Sequence, residues 1–281
     1  MPTSLGLGLG LPMRRGAVAA AAPAWTPADV TVSASITWEV LDASGTMYGD
    51  VAHTTPITAN NDPIGAIPTL RGATIQHRAT EFWLPTSSNM TYAPVLKTDD
   101  ATYSRVVELN DAAIKWVTPN GIFDNAAENL YQSETTYMVG IRIKHLFAVS
   151  SANTYLIIMG SDNGSDKRGP GTGVGNLSEP SYVVSAIDAT VTDTNVVRVA
   201  DNVWSTLVMV SNGSGTSLYL DDPVTPISTN PAMTTLQWTG RSLGISTIES
   251  ATAFRFRRFI VGSNFDGSEA PIAGVMSWLD G

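Results

Sequence analysis

The feature that most constrains this chain is a hydrophobic period of two. It recurs in short runs, and no helical period competes with it until the last dozen residues. "VSASITWEVLD" (32–42), "YSRVVEL" (103–109), "AIKWV" (113–117) and "TTYMVGIRIKHLF" (135–147) open the series. "TYLIIMGS" (154–161), "YVVSAID" (182–188), "NVVRVA" (195–200) and "WSTLVMVSN" (204–212) continue it, and "TSLYLDD" (216–222), "RSLGIS" (241–246) and "AFRFRRFIVGS" (253–263) close it. A strand turns successive side chains to opposite faces, so each run can bury one face and wet the other. Roughly ten to twelve such strands, with no helices between them, call for two stacked antiparallel sheets.

The separators support that reading. Gly, Asn, Asp and Pro lie between the runs, and "NGSG" (212–215) joins two alternating runs as a hairpin turn. In the last run, strict alternation puts Phe254, Phe256, Arg258 and Ile260 on one face and Arg255, Arg257, Phe259 and Val261 on the other. Only the end reads as a helix: Ser268 is the expected N-cap, Pro271 fits the first turn, and Ile272, Val275, Met276 and Leu279 fall at helical spacing.

With 281 residues, 43% hydrophobic and 15% charged, the chain has material for one large sandwich core. The net charge of −9 repels polyphosphate, which argues against a nucleic-acid binder. There is no cysteine, so disulfides, thiol catalysis and Cys-based metal sites are excluded. No run approaches the ~18 apolar residues of a membrane-spanning helix, and "GAVAAAA" (16–22), flanked by Pro23, is too short and too weakly apolar for a signal peptide core.

Residues 1–30 read as an arm, and 31–281 as the sandwich domain. Gly alternating with Leu cannot hold a helix, and Pro2, Pro12, Pro23 and Pro27 punctuate the rest. Yet Leu5, Leu7, Leu9, Leu11 and Trp25 are apolar groups without a core of their own, and Arg14 with Arg15 forms a basic tip on an acidic body. Such a segment is expected to dock, on its own domain or on a neighbouring subunit.

The stretch "YGDVAHTTPITANNDPIGAIPTLRG" (48–72) holds turn formers and no period. With its approach it reads "LDASGTMYGDVAHTTPITANNDPIGAI" (41–67), an order that resembles the opening of laminin-G-like, concanavalin-type domains in bacteriophage particle proteins. "APVLKTDDATYSRVVEL" (93–109), the hairpin "VWSTLVMVSNGSGTSLYLDD" (203–222) and the closing "IAGVMSWLDG" (272–281) continue the likeness, which spans about residues 38–281. The resemblance implies an all-β, concanavalin-like antiparallel β-sandwich (jelly roll) with an extended N-terminal arm and a short C-terminal helix. The turn-rich stretch becomes a loop laid across the sandwich edge. The implied role is a virion structural component (tail fibre, head spike or capsid decoration), homo-oligomeric, docked through its arm on other virion proteins and without membrane insertion. A host surface glycan is the alternative partner, and a carbohydrate-binding receptor-recognition protein or a polysaccharide depolymerase is the rival function.

Enzyme chemistry finds little purchase. A glycosidase of this fold would carry a Glu-x-Asp-x-x-Glu run, and the chain has none. The pairs Asp99–Asp100 and Asp221–Asp222 read as solvated acidic turns, whose neighbouring side chains diverge if extended. His53, His77 and His145 are far apart, which offers no zinc site. Calcium is the one ion the loop acids could take, and "GSDNGSDKRGPGTGVG" (160–175), with Asp162, Asn163 and Asp166, is the richest candidate. Lys167 and Arg168 beside those acids favour a surface loop instead. The expectation is a non-enzyme with no catalytic, cofactor or metal residues.

Overall fold

The computed structural model describes residues 24–31, 36–50, 52–67, 69–71, 74–76, 94–109, 136–146, 155–162, 167–174, 182–187, 197–199, 202–230, 243–247, 254–264 and 271–281. In chain order these form β1 (Thr37–Asp42), β2 (Met47–Tyr48), β3 (Pro56–Ile57), β4 (Thr69–Arg71), β5 (Thr74–Gln76), β6 (Val95–Lys97), β7 (Val106–Leu109) and β8 (Thr136–His145). Next come β9 (Tyr155–Asp162), β10 (Lys167–Val174), β11 (Tyr182–Ile187), β12 (Val197–Val199) and β13 (Trp204–Asn212). The chain closes with β14 (Thr216–Leu220), β15 (Ser228–Asn230), β16 (Leu243–Thr247), β17 (Phe254–Ser263) and α1 (Ile272–Asp280).

The strands build an antiparallel sandwich. The larger sheet runs β15-β14-β13-β8-β17-β1-β4-β5, with β7 pairing β17 and β6 extending β7. The smaller sheet runs β12-β11-β10-β9-β16, and β10 and β11 approach the β13–β15 end of the larger one. Here the structure corrects the sequence reading: the glycine-rich stretch expected to be a surface loop forms β10, a central strand paired to both β9 and β11. Pairing on both sides supplies hydrogen bonds that outweigh the weak strand preference of Gly and Pro, and the register shifts at Thr172/Gly173. Asp162 and Lys167 are partners across the β9–β10 pair, while Asn163 and Asp166 lie outside the described residues.

β17 departs from strict alternation. Phe256 pairs with Ile143 but Phe259 with Ile141, so Arg257 and Arg258 together oppose Arg142. This β-bulge resets the phase and brings Phe254, Phe256, Phe259 and Val261 onto one face, all buried. Tyr137, Val139, Ile141, Ile143, Leu207, Met209 and Leu41 share that face and are buried too.

The opposite face receives α1. Trp38, Val40, Met138, Val208, Val210 and Ile260 pack against Val275, Met276 and Leu279 of the helix. Close approach requires Gly140, where a Cβ would stand 2.9 Å from Leu279 Cδ1 and 3.0 Å from Ile260 Cγ2. The helix starts at Ile272 with Pro271 at its N-cap, and Ser268 lies outside the described residues. The expected apolar stripe holds: Val275, Met276 and Leu279 are buried and Ile272 is half-buried.

The described residues 43–50 and 52–67 form turns around the short β2–β3 pair, held by side-chain caps. Asp42 Oδ1 accepts from the N–H and hydroxyl of Ser44 at 2.8 and 2.6 Å. Asp50 accepts the Thr54 and Thr55 amides at 3.0 and 2.6 Å, and Asp62 accepts those of Thr58 and Ala59 at 3.1 and 2.8 Å. The loop then pairs with the next segment: Asn61 N–H donates to Leu96 O, Leu96 N–H to Asp62 O, and Ile64 N–H to Pro94 O, at 2.7 to 2.9 Å. At its crossing point a Cβ on Gly65 would lie 2.7 Å from the backbone of Gly49 and Asp50. Gly65→Ala is therefore expected to cost about 1–3 kcal/mol, read as a melting-temperature drop of about 5 °C. Gly45→Ala, whose Cβ finds ordinary space at 3.4 Å, is the control that should stay within about 1 °C, and equal losses in the two would refute a tight crossing.

Candidate functional site

The face that carries α1 has a second half, and it is charged. The same pleat that aims Met138 and Gly140 at the helix aims Arg142 and Lys144 along that face beyond it. β17 adds Arg255, Arg257 and Arg258, β6 adds Lys97 and β7 adds Glu108. The segment 98–105 folds over them and delivers Asp99, Asp100 and Tyr103.

Asp100 is the centre of this half. Its side chain is 0% exposed, and Oδ2 takes the Lys144 ammonium and, at 3.0 Å, Arg255 Nη1. Its Oδ1 accepts the Thr102 amide at 2.9 Å and Trp204 Nε1–H at 3.1 Å. Burial by itself would raise this carboxyl, but Lys144, the Thr102 amide, Arg255 and Trp204 hold it well below the usual carboxylate range. Arg255 also reaches Glu108 at 2.6 Å and Asp99 at 3.2 Å. The expected solvated turn is thus corrected at Asp100. Asp99 and Asp100 reach the same guanidinium because residues 98–100 are not an extended strand, so neighbouring side chains need not diverge.

Tyr103 joins this centre to the chain end. Its hydroxyl donates to Asp280 O at 2.8 Å and accepts from Arg142 Nε at 3.1 Å. Its ring meets Trp204 edge-on at 4.9 Å, with the Arg257 guanidinium 5.2 Å from the Tyr103 centroid. Trp204 also lies under Lys144 and Arg142, at 5.3 and 5.9 Å. Arg142 Nη1 pairs with Asp280 at 3.0 Å and stands 3.6 Å from Asp221. Burial raises the Asp221 carboxyl despite its 2.6 Å bond from the Thr206 amide, and Asp222 caps Val224.

Of the residues assigned to a docking arm, Leu5, Leu7, Leu9, Leu11, Arg14 and Arg15 lie outside the described residues. Trp25 packs on α1 of its own domain, where a Cβ on Gly274 would come within 2.7 Å of Trp25 Cβ. Val30 follows as a buried residue whose carbonyl accepts from Trp38 Nε1 at 3.0 Å. The four described tryptophans, Trp25, Trp38, Trp204 and Trp278, are all buried or half-buried, as core and packing anchors. The sequence reading gave no site role to Tyr103, Arg142, Lys144 and Arg255. The signal available was alternation itself: Arg142, Lys144 and Arg255 interrupt apolar runs at a strict spacing of two.

Among the described residues no group of three or more His, Asp or Glu is placed to hold a metal ion. No helix there is long and apolar enough to cross a membrane. No protein-family model matches the chain, and no curated protein matches it. Solved structures to which the chain is similar include the cellulose-induced protein Cip1, at 15% identity and TM-score 0.36, over 60% of this chain and 84% of that one. Galectin LEC-6 of Caenorhabditis elegans matches at 14% identity and TM-score 0.29, over 55% and 94%. A protein of unknown function from Shewanella oneidensis MR-1 matches at 11% and 0.38, over 83% and 88%. By its own strand order and layering, this chain is an all-β antiparallel sandwich with a short C-terminal helix.

Two titrations follow. Burial holds His145 neutral and pushes its pKa down to about 3. An unfolded chain takes that proton once pH drops below about 6.5, so this contribution is full above pH 6.5 and lost as pH falls towards 3. Asp100 acts in the same direction, lost below about pH 4. Stability should therefore decline by roughly 1 kcal/mol per pH unit from pH 6.5 downwards, and His145→Gln should flatten the upper part of that slope in urea titrations. Asp100→Asn, which leaves Lys144 without its carboxylate and Arg255 without one of its three, should cost about 3–5 kcal/mol at pH 7. A loss below about 1 kcal/mol would show that the cluster is not held by this carboxylate.

Proposed function

We propose that the chain is a non-enzymatic structural component of a tailed-phage or phage-like particle, docked by residues 1–23 and presenting the sandwich outward. One observation supports the non-enzymatic part: among the described residues, six acids are already committed to amides or cations. Asp42, Asp50 and Asp62 cap backbone amides. Asp100, Glu108 and Asp280 are held by Lys and Arg. Asp50, pulled down to about 2 first by the Thr54 amide, has the character of a cap and not of a general acid. The particle assignment rests on the resemblance of "TTPITANNDPIG" (54–65) and its flanks to phage particle domains, and on the apolar, Gly-rich arm.

A second reading, carried by the same resemblance, is a glycan-recognition module of the same particle. Binding on a glycan array separates it from a purely structural role, and new reducing ends in host polysaccharide would overturn both.

The arm is tested by deletion. Because Trp25 and Val30 are packed on the sandwich, the cut belongs before Ala24. A chain lacking residues 2–23 should melt within about 2 °C of the full chain and fail to incorporate into particles. Normal incorporation of that deletion would refute docking through the arm.

A further inference from the structure

Seven cationic side chains share the charged half of the face, but their counter-charges are unevenly placed. Lys97, Lys144 and Arg255 meet Asp99, Asp100 and Glu108, and Arg142 meets Asp221 and Asp280. At the end next to loop 43–67, Arg257 and Arg258 share Asp42, and Arg105 is paired with no carboxylate among the described residues. That carboxylate is already engaged: Oδ1 takes two bonds from Ser44, and Oδ2 takes Arg258 Nε at 2.9 Å. Arg257 Nη1 stands 3.6 Å from it.

Arg257 is only 8% exposed. Its Nη1 donates to Arg105 O at 3.3 Å, its guanidinium lies over the Tyr103 ring, and its Nε is buried with no acceptor. Arg105 sits beside it in the same condition: Nη2 reaches Ile57 O at 3.4 Å, and Nε is buried with no acceptor. Burial and the neighbouring positive charge of Arg258 and Arg105 disfavour the charged form of Arg257, against the pull of Asp42. Two unanswered donors and excess positive charge, in a protein of net charge −9, leave a deficit of acceptors at one point. Guanidinium forks fit planar and tetrahedral oxyanions, which bring several acceptors and a negative charge together.

We propose that Arg105 and Arg257, beside Ile57 and Tyr103, form a subsite for one oxyanion, a carboxylate or sulfate group, that accepts from both Nε–H groups. The acidity of the rest of the body excludes long polyanions, so the ligand is a single charged group, either a free ion or a substituent on a larger neutral molecule. The subsite does not depend on the particle assignment.

Melting temperature is measured for the full chain at fixed ionic strength, in sodium chloride and with sodium sulfate, acetate or glucuronate replacing part of it. The expected result is a saturable rise with at least one oxyanion, half-maximal at about 1 mM, beyond the chloride baseline. Acetate and sulfate acting alone would mark a free-ion site, and glucuronate exceeding acetate would mark a carboxylate borne on a saccharide. Arg105→Gln should abolish the rise and, with oxyanions absent, should melt at or above the temperature of the unaltered chain, because it relieves the repulsion on Arg257. Sulfate also stabilises proteins in general by exclusion from their surface, so an equal rise in Arg105→Gln would overturn the proposal. A clear drop in its melting temperature without oxyanion would do the same. Arg105→Lys keeps the charge and loses the fork. It should weaken glucuronate or sulfate at least tenfold, and unchanged half-saturation would also refute the subsite.

Discussion

The bulge at Arg257 and Arg258 is the constraint on which the rest of the structure depends. Among the described strands β17 has the most neighbours, pairing with β8, β1 and β7. Without the extra residue its alternation would turn Phe259 and Val261 to the α1 face and Ile260 away from it. With it, four large apolar side chains enter one core while Ile260 reaches the other. The unavoidable consequence is a pair of neighbouring arginines opposite a single Arg142. Three guanidinium groups at one place on a sheet repel one another unless acids or aromatic faces intervene. Asp42, Tyr103 and Asp280 are what the chain supplies there.

That supply explains why the loop at 98–105 and the chain end are ordered together. Buried cations need partners more than partners need them, since breaking a buried pair costs more than forming it gains. Lys144 and Arg255 therefore fix Asp100, Asp100 fixes the turn through the Thr102 amide, and the turn delivers Tyr103 to Arg142 and Asp280. The helix is tied from its other side by Arg258 on the Trp278 carbonyl. The apolar half of the face binds α1 by packing and the charged half locks its C-terminal end by pairing, so the two halves work as one clamp.

The fold was legible because period two survives in a single sequence: β8, β13, β14 and β17 lie where alternation placed strands, and Val275, Met276 and Leu279 where the helical period placed its buried stripe. β10 was not, because Gly and Pro carry no strand signal and their pairing is imposed by β9 and β11. The phase of β17 was not, because a bulge is settled by what both faces must bury and not by the local run. The charged face was half legible. Arg142, Lys144 and Arg255 announce an outward side in the pattern. That Asp100, Glu108 and Tyr103 meet them depends on contacts more than a hundred residues apart for Arg255 and Trp204.

The loop at 43–67 shows why turn acids mislead when read as ligands. Asp, Asn and Gly cluster in metal-binding loops and in capped turns alike, since both need short side chains with oxygen acceptors. What separates them is where the lone pairs go. Asp50 spends both oxygens on consecutive amides and Asp62 spends one oxygen on two. A cation would have to displace those bonds and leave the amides unanswered. Asn60 bridges to Thr98 and Asp99, so the loop is also tied to the segment that carries Asp100. Rigidity of this loop is therefore coupled to the charged face: the same Asp99 that answers Arg255 also accepts from Asn60.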